Sequence, residues 1–514
     1  MKYEILPKQI ELLLGMNNYK NHILLAGFDD KADTVKLIRL IEQQGIVIPA
    51  VILSRNHAIA EQDLCNSQIK FLYENEFYSP EFIARYKTHI NLRLTQALSQ
   101  HYPFILRSME RWISTITNID DRIFHIDKLF CFFVDLLDKN NIEAVIYSTG
   151  TAHHYYNLVL FLACEYRGIE SVFHMTNPFT NRVRFVKGLD FRTIEIDGRG
   201  SDNGEMRKYL DNIAKDDSSS APWRVKEVES VRNKKWYFYT LILPKYFARV
   251  TYRSLRPFRS ILIDSQESWL IRYLKMSISL FGNLSNLQKI KNRYTRNCRS
   301  DVQENALVIY AHFQPEATSH PDGGFYPDMR YWIDYFKNKY TQIYYKEHIG
   351  SFLFSDGLGG LNNSCAHRSM DYYDDLEGMG ASFLDVSYPT KNILNKSGTI
   401  FTLSGTVILE GSLMGGKVIY AGTPWFGHLP TSRVNYAADN VELRVLENIS
   451  HDTICEYFAE LEKHSFPNIL GWATSLKDTD MPLEEYSHLI VSAIKIIMSE
   501  PKSSSTRFFN RLET

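Results

Sequence analysis

Residues 399–420 read TIFTLSGTVILEGSLMGGKVIY. Thr399–Leu403 is a short apolar run with strand composition. Ser404-Gly405-Thr406 interrupts it, and Val407–Met414 then carries helical spacing until Gly415-Gly416 stops it. Lys417–Tyr420 is apolar and β-branched again. A strand, a tight glycine turn, a helix and a second strand make one β-α-β unit, and such units build a parallel sheet with helices on both faces.

The same alternation extends upstream. Ala306–Ala311, Ile343–Lys346 and Ser382–Val386 read as strands, with helices at Met329–Lys337 and Lys391–Asn395. Two further helices, near Thr453–Lys463 and Glu484–Met498, are expected to close this domain. The first part repeats the pattern more loosely. His22–Gly27 and Ile46–Leu53 are strands around a helix over Asp29–Gln44. Glu143–Tyr147 and Ser171–His174 flank a helix over Tyr155–Tyr166, and residues 75–140 are mostly helical.

The chain has 514 residues, too many for one compact core. The expected division is an N-terminal Rossmann-like domain over 1–200, a basic, aromatic helical linker or insert over 201–300, a C-terminal Rossmann-like domain over 301–500 and a frayed tail over 501–514. Two doubly wound halves place a ligand cleft between them, at the carboxyl ends of the strands.

Lys+Arg is 58 and Asp+Glu 59, so no basic excess marks a nucleic-acid binder. The charge is uneven, however. Residues 221–300 hold 17 Lys/Arg against 4 Asp/Glu, and 13 aromatics. This helical, basic and aromatic segment suits the anionic inner face of a membrane, with Trp and Tyr at headgroup level. It equally suits an anionic acceptor or a plain linker with a solvated cationic face.

No apolar run reaches the roughly 18–20 residues of a membrane-spanning helix. The opening MKYEILPKQIELLLG has acidic residues within its apolar part and no small-residue cleavage site, so it does not read as a signal peptide. The six cysteines are scattered without a CxxC or Cys/His cluster. Free thiols in a reducing cytosol and no zinc site are the expectation.

Three strand ends in the second half carry candidate chemistry. The turn Ser404-Gly405-Thr406 offers helix-start N–H groups, two hydroxyls and a glycine that lets an anion approach. Glu410, one turn on, shares a face with Thr406 and can accept bonds from ribose hydroxyls. The plainer alternative is a helix cap. After the strand at 306–311 comes His312-Phe-Gln314-Pro315-Glu316, where Glu316 can serve as acid, base or nucleophile. Asp322 and Asp328 follow in a glycine-containing loop as partner carboxylates, with solvated surface acids as the alternative. Lys346 and His348 after the strand at 343–346 suit phosphate neutralisation and leaving-group stabilisation. In the first half, Ser148–His154 follows a strand and opens a helix. It places His153 and His154 on an acceptor wall, or leaves them as surface histidines; Asp29-Asp30 has the same ambiguity.

HFQPEAT at 312–318, KEH at 346–348 and SGTVILEG at 404–411 resemble, in order and separation, bacterial capsule and surface-polysaccharide biosynthesis proteins. That group includes the retaining β-Kdo transferases (Kdo is 3-deoxy-manno-octulosonic acid). The resemblance covers the second half well, the first half loosely and 186–300 hardly at all. It implies a GT-B fold and a nucleotide-sugar donor in the C-terminal domain. It places Glu316 in the active site with Gln314 beside the donor and His348 near its phosphate. Ser404, Gly405 and Thr406 would hold that phosphate, with Glu410 on the ribose. Ile349 stands where the family carries proline.

The expected activity is a cytoplasmic, metal-independent glycosyltransferase using a CMP-linked 2-keto sugar acid on a glycan or glycolipid acceptor. A UDP-sugar transferase or epimerase, and a non-catalytic membrane-associated assembly subunit, are the alternatives the same residues allow.

Overall fold

The computed structural model describes residues 21–28, 32–54, 69–73, 77, 90–109, 118–152, 154–180, 182–196, 204–215, 286, 288–312, 321–324, 326–352, 368–436, 441–467 and 481–500. The expectations at Asp29-Asp30, His153, Gln314 and Glu316, over most of 221–300 and over 501–514 lie outside these residues. The chain divides into two compact units.

Unit 1 begins with β1 (Asn21–Phe28), α1 (Ala32–Gln43), β2 (Val47–Ser54) and β3 (Lys70–Tyr73). Helices α2 (Leu92–Ser99), α3 (Tyr102–Met109) and α4 (Ile119–Lys139) follow, then β4 (Ile142–Tyr147), α5 (Tyr155–Arg167), β5 (Glu170–Thr176), β6 (Arg182–Lys187) and β7 (Arg192–Thr193). Strands β5, β4, β1, β2 and β3 lie side by side and parallel, and β6 adds antiparallel. Because side chains alternate across a strand, Leu24 and Ala26 join the core under α4 and α5. Ile23 and Leu25 join the core on the opposite face. Both faces are covered, which explains why β1 reads as an unbroken apolar run instead of an alternating one.

Unit 2 opens with α6 (Glu205–Ala214). This helix lies within the stretch read as a helical linker or insert over 201–300: Met206 and Leu210, one turn apart, are buried, and that apolar pair fixes a helix in an otherwise polar stretch. A helical stretch at 288–296 leads into β8 (Cys298–Arg299) and β9 (Leu307–Tyr310). Then come α7 (Met329–Phe336), β10 (Ile343–Lys346), α8 (Met370–Gly378), β11 (Ala381–Leu384), α9 (Thr390–Ser397), β12 (Thr399–Thr402), α10 (Val407–Leu413), β13 (Lys417–Tyr420), β14 (Arg433–Tyr436) and β15 (Glu442–Leu446). The sheet order is β14-β15-β13-β12-β9-β10-β11-β8, parallel from β13 to β8. Leu307, Ile309, Phe401 and Tyr345 pack with α7, α8 and Tyr294 on one face, while α9 and α10 lie against the other.

α11 (His451–Lys463) carries the chain from unit 2 into unit 1, the division falling after Tyr457. β16 (Phe466–Pro467) pairs antiparallel with β6, and α12 (Leu483–Ser499) lies against α1. The helices after Phe458 therefore do not close the second domain, as the boundary 301–500 supposed. The reason is a vacant face: Ile490, Val491, Ala493, Ile494 and Ile497 of α12 complete the core that α1 covers only in part. Polar contacts fix the return. Gln44 donates to Ser487 Oγ at 2.8 Å, Asn177 donates to Glu462 Oε1 at 2.6 Å, and buried Arg184 donates to the carbonyl of Trp425 at 2.5 Å. Among the described residues no helix is long and apolar enough to cross a membrane.

Candidate active site

In unit 2 the chain steps outward from β9 to β10 and β11, then returns to place β12 and β13 on the other side of β9. The strand order reverses between β9 and β12, and in such sheets ligands bind outside the carboxyl ends at that reversal. Lys346 pairs with Tyr310 and Leu384, and Phe401 with Ile309, so the carboxyl ends of β9, β10, β11 and β12 stand level.

His312 sits at this reversal, two residues beyond β9, and is buried. Its Nε2 lies 2.9 Å from Thr402 Oγ1 and accepts the backbone N–H of Ser404 at 3.2 Å. A backbone N–H can only donate, so Nε2 is the bare nitrogen and the ring carries its proton on Nδ1. Burial, with the charges of His348 and Arg368 adding to it, pushes His312 down to about 3. It is therefore a neutral strut joining β9 to the turn after β12.

That turn is Ser404-Gly405-Thr406. Gly405 sits in close approach: a Cβ there would meet the side-chain atoms His312 Cε1 at 3.2 Å and Thr402 Oγ1 at 3.3 Å. Thr406 occupies the cap position of α10, yet its side chain makes no capping bond. Its hydroxyl is not spent on the helix, and Gly405 and Thr406 are half-exposed while Ser404 is buried. Glu410 is buried on the same helix and accepts from Thr390 Oγ1 at 3.3 Å, which in turn accepts from Tyr310 at 3.2 Å. Lys346 Nζ stands 4.8 Å over the Tyr310 ring. His312, Ser404, Gly405, Thr406, Glu410 and Lys346 thus gather about the ends of β9, β10 and β12. Gly411 lets α10 lie this low, since a Cβ there would stand 2.6 Å from Ile400 and 2.7 Å from Val418.

Beside this row lies a charged cluster that sequence reasoning missed. Glu347 is fully buried and pairs with buried Arg368 at 2.6 Å. Oε2 also accepts from Tyr345 and Tyr373, each at 2.8 Å; Oε1 accepts from the His348 N–H at 2.7 Å and Ser351 Oγ at 3.0 Å. Burial raises the Glu347 carboxyl, but the Arg368 charge and these donors outweigh it and hold it below the ordinary value. Arg368 also donates to the His312 carbonyl at 3.2 Å. The Glu347 carboxylate therefore holds the backbone of His348, which also influences His312 electrostatically. The motif at 346–348 contained the signal. A glutamate directly between a strand-end Lys and His had no stated role, and Arg368 carried no local pattern at all.

The two loop aspartates separate. Asp328 caps α7, accepting from Arg330 N at 3.0 Å, and pairs with the Arg330 guanidinium at 2.7 Å. It is a helix cap, which removes it as a partner carboxylate. Asp322 stays half-buried, and its carbonyl accepts from Thr423 N at 2.8 Å. Gly422, just past β13, makes this possible: a Cβ there would stand 2.3 Å from the Asp322 oxygen and 2.7 Å from Gly323 Cα. Backbone cannot swing aside as a side chain does. Gly422→Ala is therefore expected to cost about 1–3 kcal/mol and to displace Asp322; chemical denaturation compared with Gly405→Ala, which meets only side-chain atoms, checks it. In unit 1, His154 is buried and stacks on Tyr156 at 5.1 Å between ring centroids, which makes it core packing and not a surface histidine.

No known family profile matches the chain, and no curated protein matches it. Solved structures do. UDP-GlcNAc 2-epimerase from Neisseria meningitidis bound to UDP-GlcNAc aligns over 93% of this chain and 100% of its own, at 11% identity and a TM-score of 0.22. The S. aureus MnaA-UDP structure covers 94% and 99% at 10% identity and a TM-score of 0.20. Acinetobacter baumannii MurG covers 96% and 94% at 9% identity and a TM-score of 0.17. At these scores no residue role is carried across from any of them.

Proposed function

We propose that this chain is a cytoplasmic GT-B glycosyltransferase of surface-polysaccharide assembly, with unit 2 as its nucleotide-sugar domain. One observation carries the reading: the strand reversal between β9 and β12 gathers a neutral imidazole, a half-exposed Gly405-Thr406 turn and the Glu410 helix at one place. The donor is a CMP-linked 2-keto sugar acid. Its single phosphate lies at Ser404-Gly405-Thr406 and its ribose on Glu410, with Gln314 alongside.

Transfer breaks the bond between the anomeric carbon and the phosphate oxygen. The oxygen leaves with the electron pair as CMP, and His348 and Lys346 meet its charge in place of a metal. The acceptor hydroxyl forms the new bond and gives its proton to one carboxylate of the Glu316 and Asp322 pair. Glu316 is the main catalytic carboxylate and Asp322 its partner. The acceptor is a glycan or glycolipid, with His153 as its candidate contact. The basic segment 221–300 brings the enzyme to the inner face of the membrane.

Calorimetry with CMP and UDP tests the donor. CMP is expected to bind, and binding of UDP alone would move the reading to a UDP-sugar enzyme. Donor hydrolysis by Glu316→Gln is expected to fall by ~100-fold or more. A variant that keeps the full rate removes Glu316 from the mechanism, and a chain that binds neither nucleotide is not this enzyme.

A further inference from the structure

His451 and Cys455 lie one helical turn apart at the start of α11, on the part of that helix that belongs to unit 2. Asp211 of α6 faces them. His451 Nε2 is 3.1 Å from Asp211 Oδ1 and 3.9 Å from Cys455 Sγ, and one donor atom from each residue lies within 4.8 Å of the other two. Reading the cysteines as unclustered overlooked this spacing, because HDTIC is a Cys/His pair only when wound into a helix.

We propose that Asp211, His451 and Cys455 form a binding site for a zinc-type divalent cation. Three features carry it. The donors are a thiol, an imidazole and a carboxylate, the set that borderline-soft cations select. The spacing is right: zinc with bonds of ~2.0–2.3 Å to such donors sets them ~3.3–3.6 Å apart, and the observed separations straddle that range before any cation draws them together. The site is also open to entry, since Cys455 is buried while the side chains of His451 and Asp211 keep 33% and 40% of their exposure. Three protein ligands leave a fourth position for solvent. Neither α6 nor α11 supplies a residue to the proposed donor site. A cation here would clamp α6 to α11, and α6 packs against α10, the helix that follows the Ser404-Gly405-Thr406 turn. The cation is therefore a structural clamp and leaves the metal-independent transfer chemistry unchanged.

Cobalt(II) titration of the full reduced chain is the test. One equivalent is expected to produce a thiolate-to-cobalt charge-transfer band, which zinc then displaces, and saturating zinc is expected to raise the apparent Tm by a few degrees. Cys455→Ser should abolish the band, and His451→Gln and Asp211→Asn should weaken or abolish it. Asp211 is exposed enough that its variant folds even if Cys455→Ser does not. A band that survives all three substitutions, or no band and no Tm shift with excess metal, overturns the site. Nucleotide binding is read separately, so failure here leaves the transferase reading standing.

Discussion

Arg368→Ala is expected to cost unit 2 about 3–5 kcal/mol, a large share of a typical total of about 5–15 kcal/mol. The loss does not come mainly from the missing attraction. It comes from stranding the Glu347 carboxylate, which is fully buried and whose oxygens each accept three donors while Arg368 is present. Without the guanidinium that charge must be neutralised by a proton or remain uncompensated in a low-dielectric core. Arg368 also packs 4.8 Å over the Tyr372 ring and holds the carbonyl after β9, so alanine opens a hole as well. The pair variant Arg368→Met with Glu347→Leu should recover only the part of the loss that the stranded charge causes, because leucine leaves the Tyr345, Tyr373 and Ser351 hydroxyls and the His348 N–H without their acceptor. Guanidinium midpoints for the two variants check this. An Arg368→Ala chain within about 1 kcal/mol of wild type would show that the ion pair does not hold these strand ends.

How much of this was visible beforehand follows from the range of the forces involved. Strand and helix identity in unit 2 is local: Ile343–Lys346 and Lys417–Tyr420 are strands because of their own composition and the glycines and turns around them. The return of α12 to unit 1 is not local. Its apolar stripe signals that it covers something, but which sheet has a bare face depends on α1, some 450 residues earlier. The bounds of the helix over Glu205–Ala214 hid for a different reason, since its apolar signal is two buried residues in a polar stretch.

The site divides the same way. Ser404-Gly405-Thr406 was legible because a strand-turn-helix has a sequence signature. His312 was visible as a residue at a strand end, but its role as a strut depends on β9 and β12 being neighbours, which sheet order decides. Glu347 lay inside a motif that singled out its two neighbours. Asp328 went the other way: an aspartate before a helix is a cap on composition alone, and the structure gives it that duty.

Acid should destabilise unit 1 well before the carboxylates that are held low take up protons. Burial pushes His101, His125 and His174 each down to about 4 from an ordinary 6.5. The unfolded chain takes up these protons as pH falls below 6.5, while the folded chain resists until about 4. Stability therefore drops with falling pH across that window and levels off below it. Each histidine contributes a slope of up to about 1.4 kcal/mol per pH unit, and the three together up to about 4 kcal/mol per pH unit. Carboxylates held low, such as Glu347 and Glu500, act in the opposite range. Their stabilisation is present above the ordinary value of 4.5 and is lost only as pH falls through their lowered values. The limb between 6.5 and 4.5 is thus a histidine limb. Unit 2 contributes to it through His312 and His428, both pushed down to about 3 by burial first, so its own loss is shared by two groups instead of three. His125→Phe isolates the effect. The ring donates from Nε2 to Tyr155 at 3.0 Å, because the Tyr155 hydroxyl donates its own proton to the Phe77 carbonyl at 2.6 Å. Phenylalanine forfeits that bond and lowers stability at neutral pH by about 1 kcal/mol, but it cannot titrate. Denaturant midpoints from neutral pH to pH 5 should therefore converge for the two proteins, the variant showing the shallower slope. Parallel slopes would mean that His125 already shares its proton with solvent in the folded state.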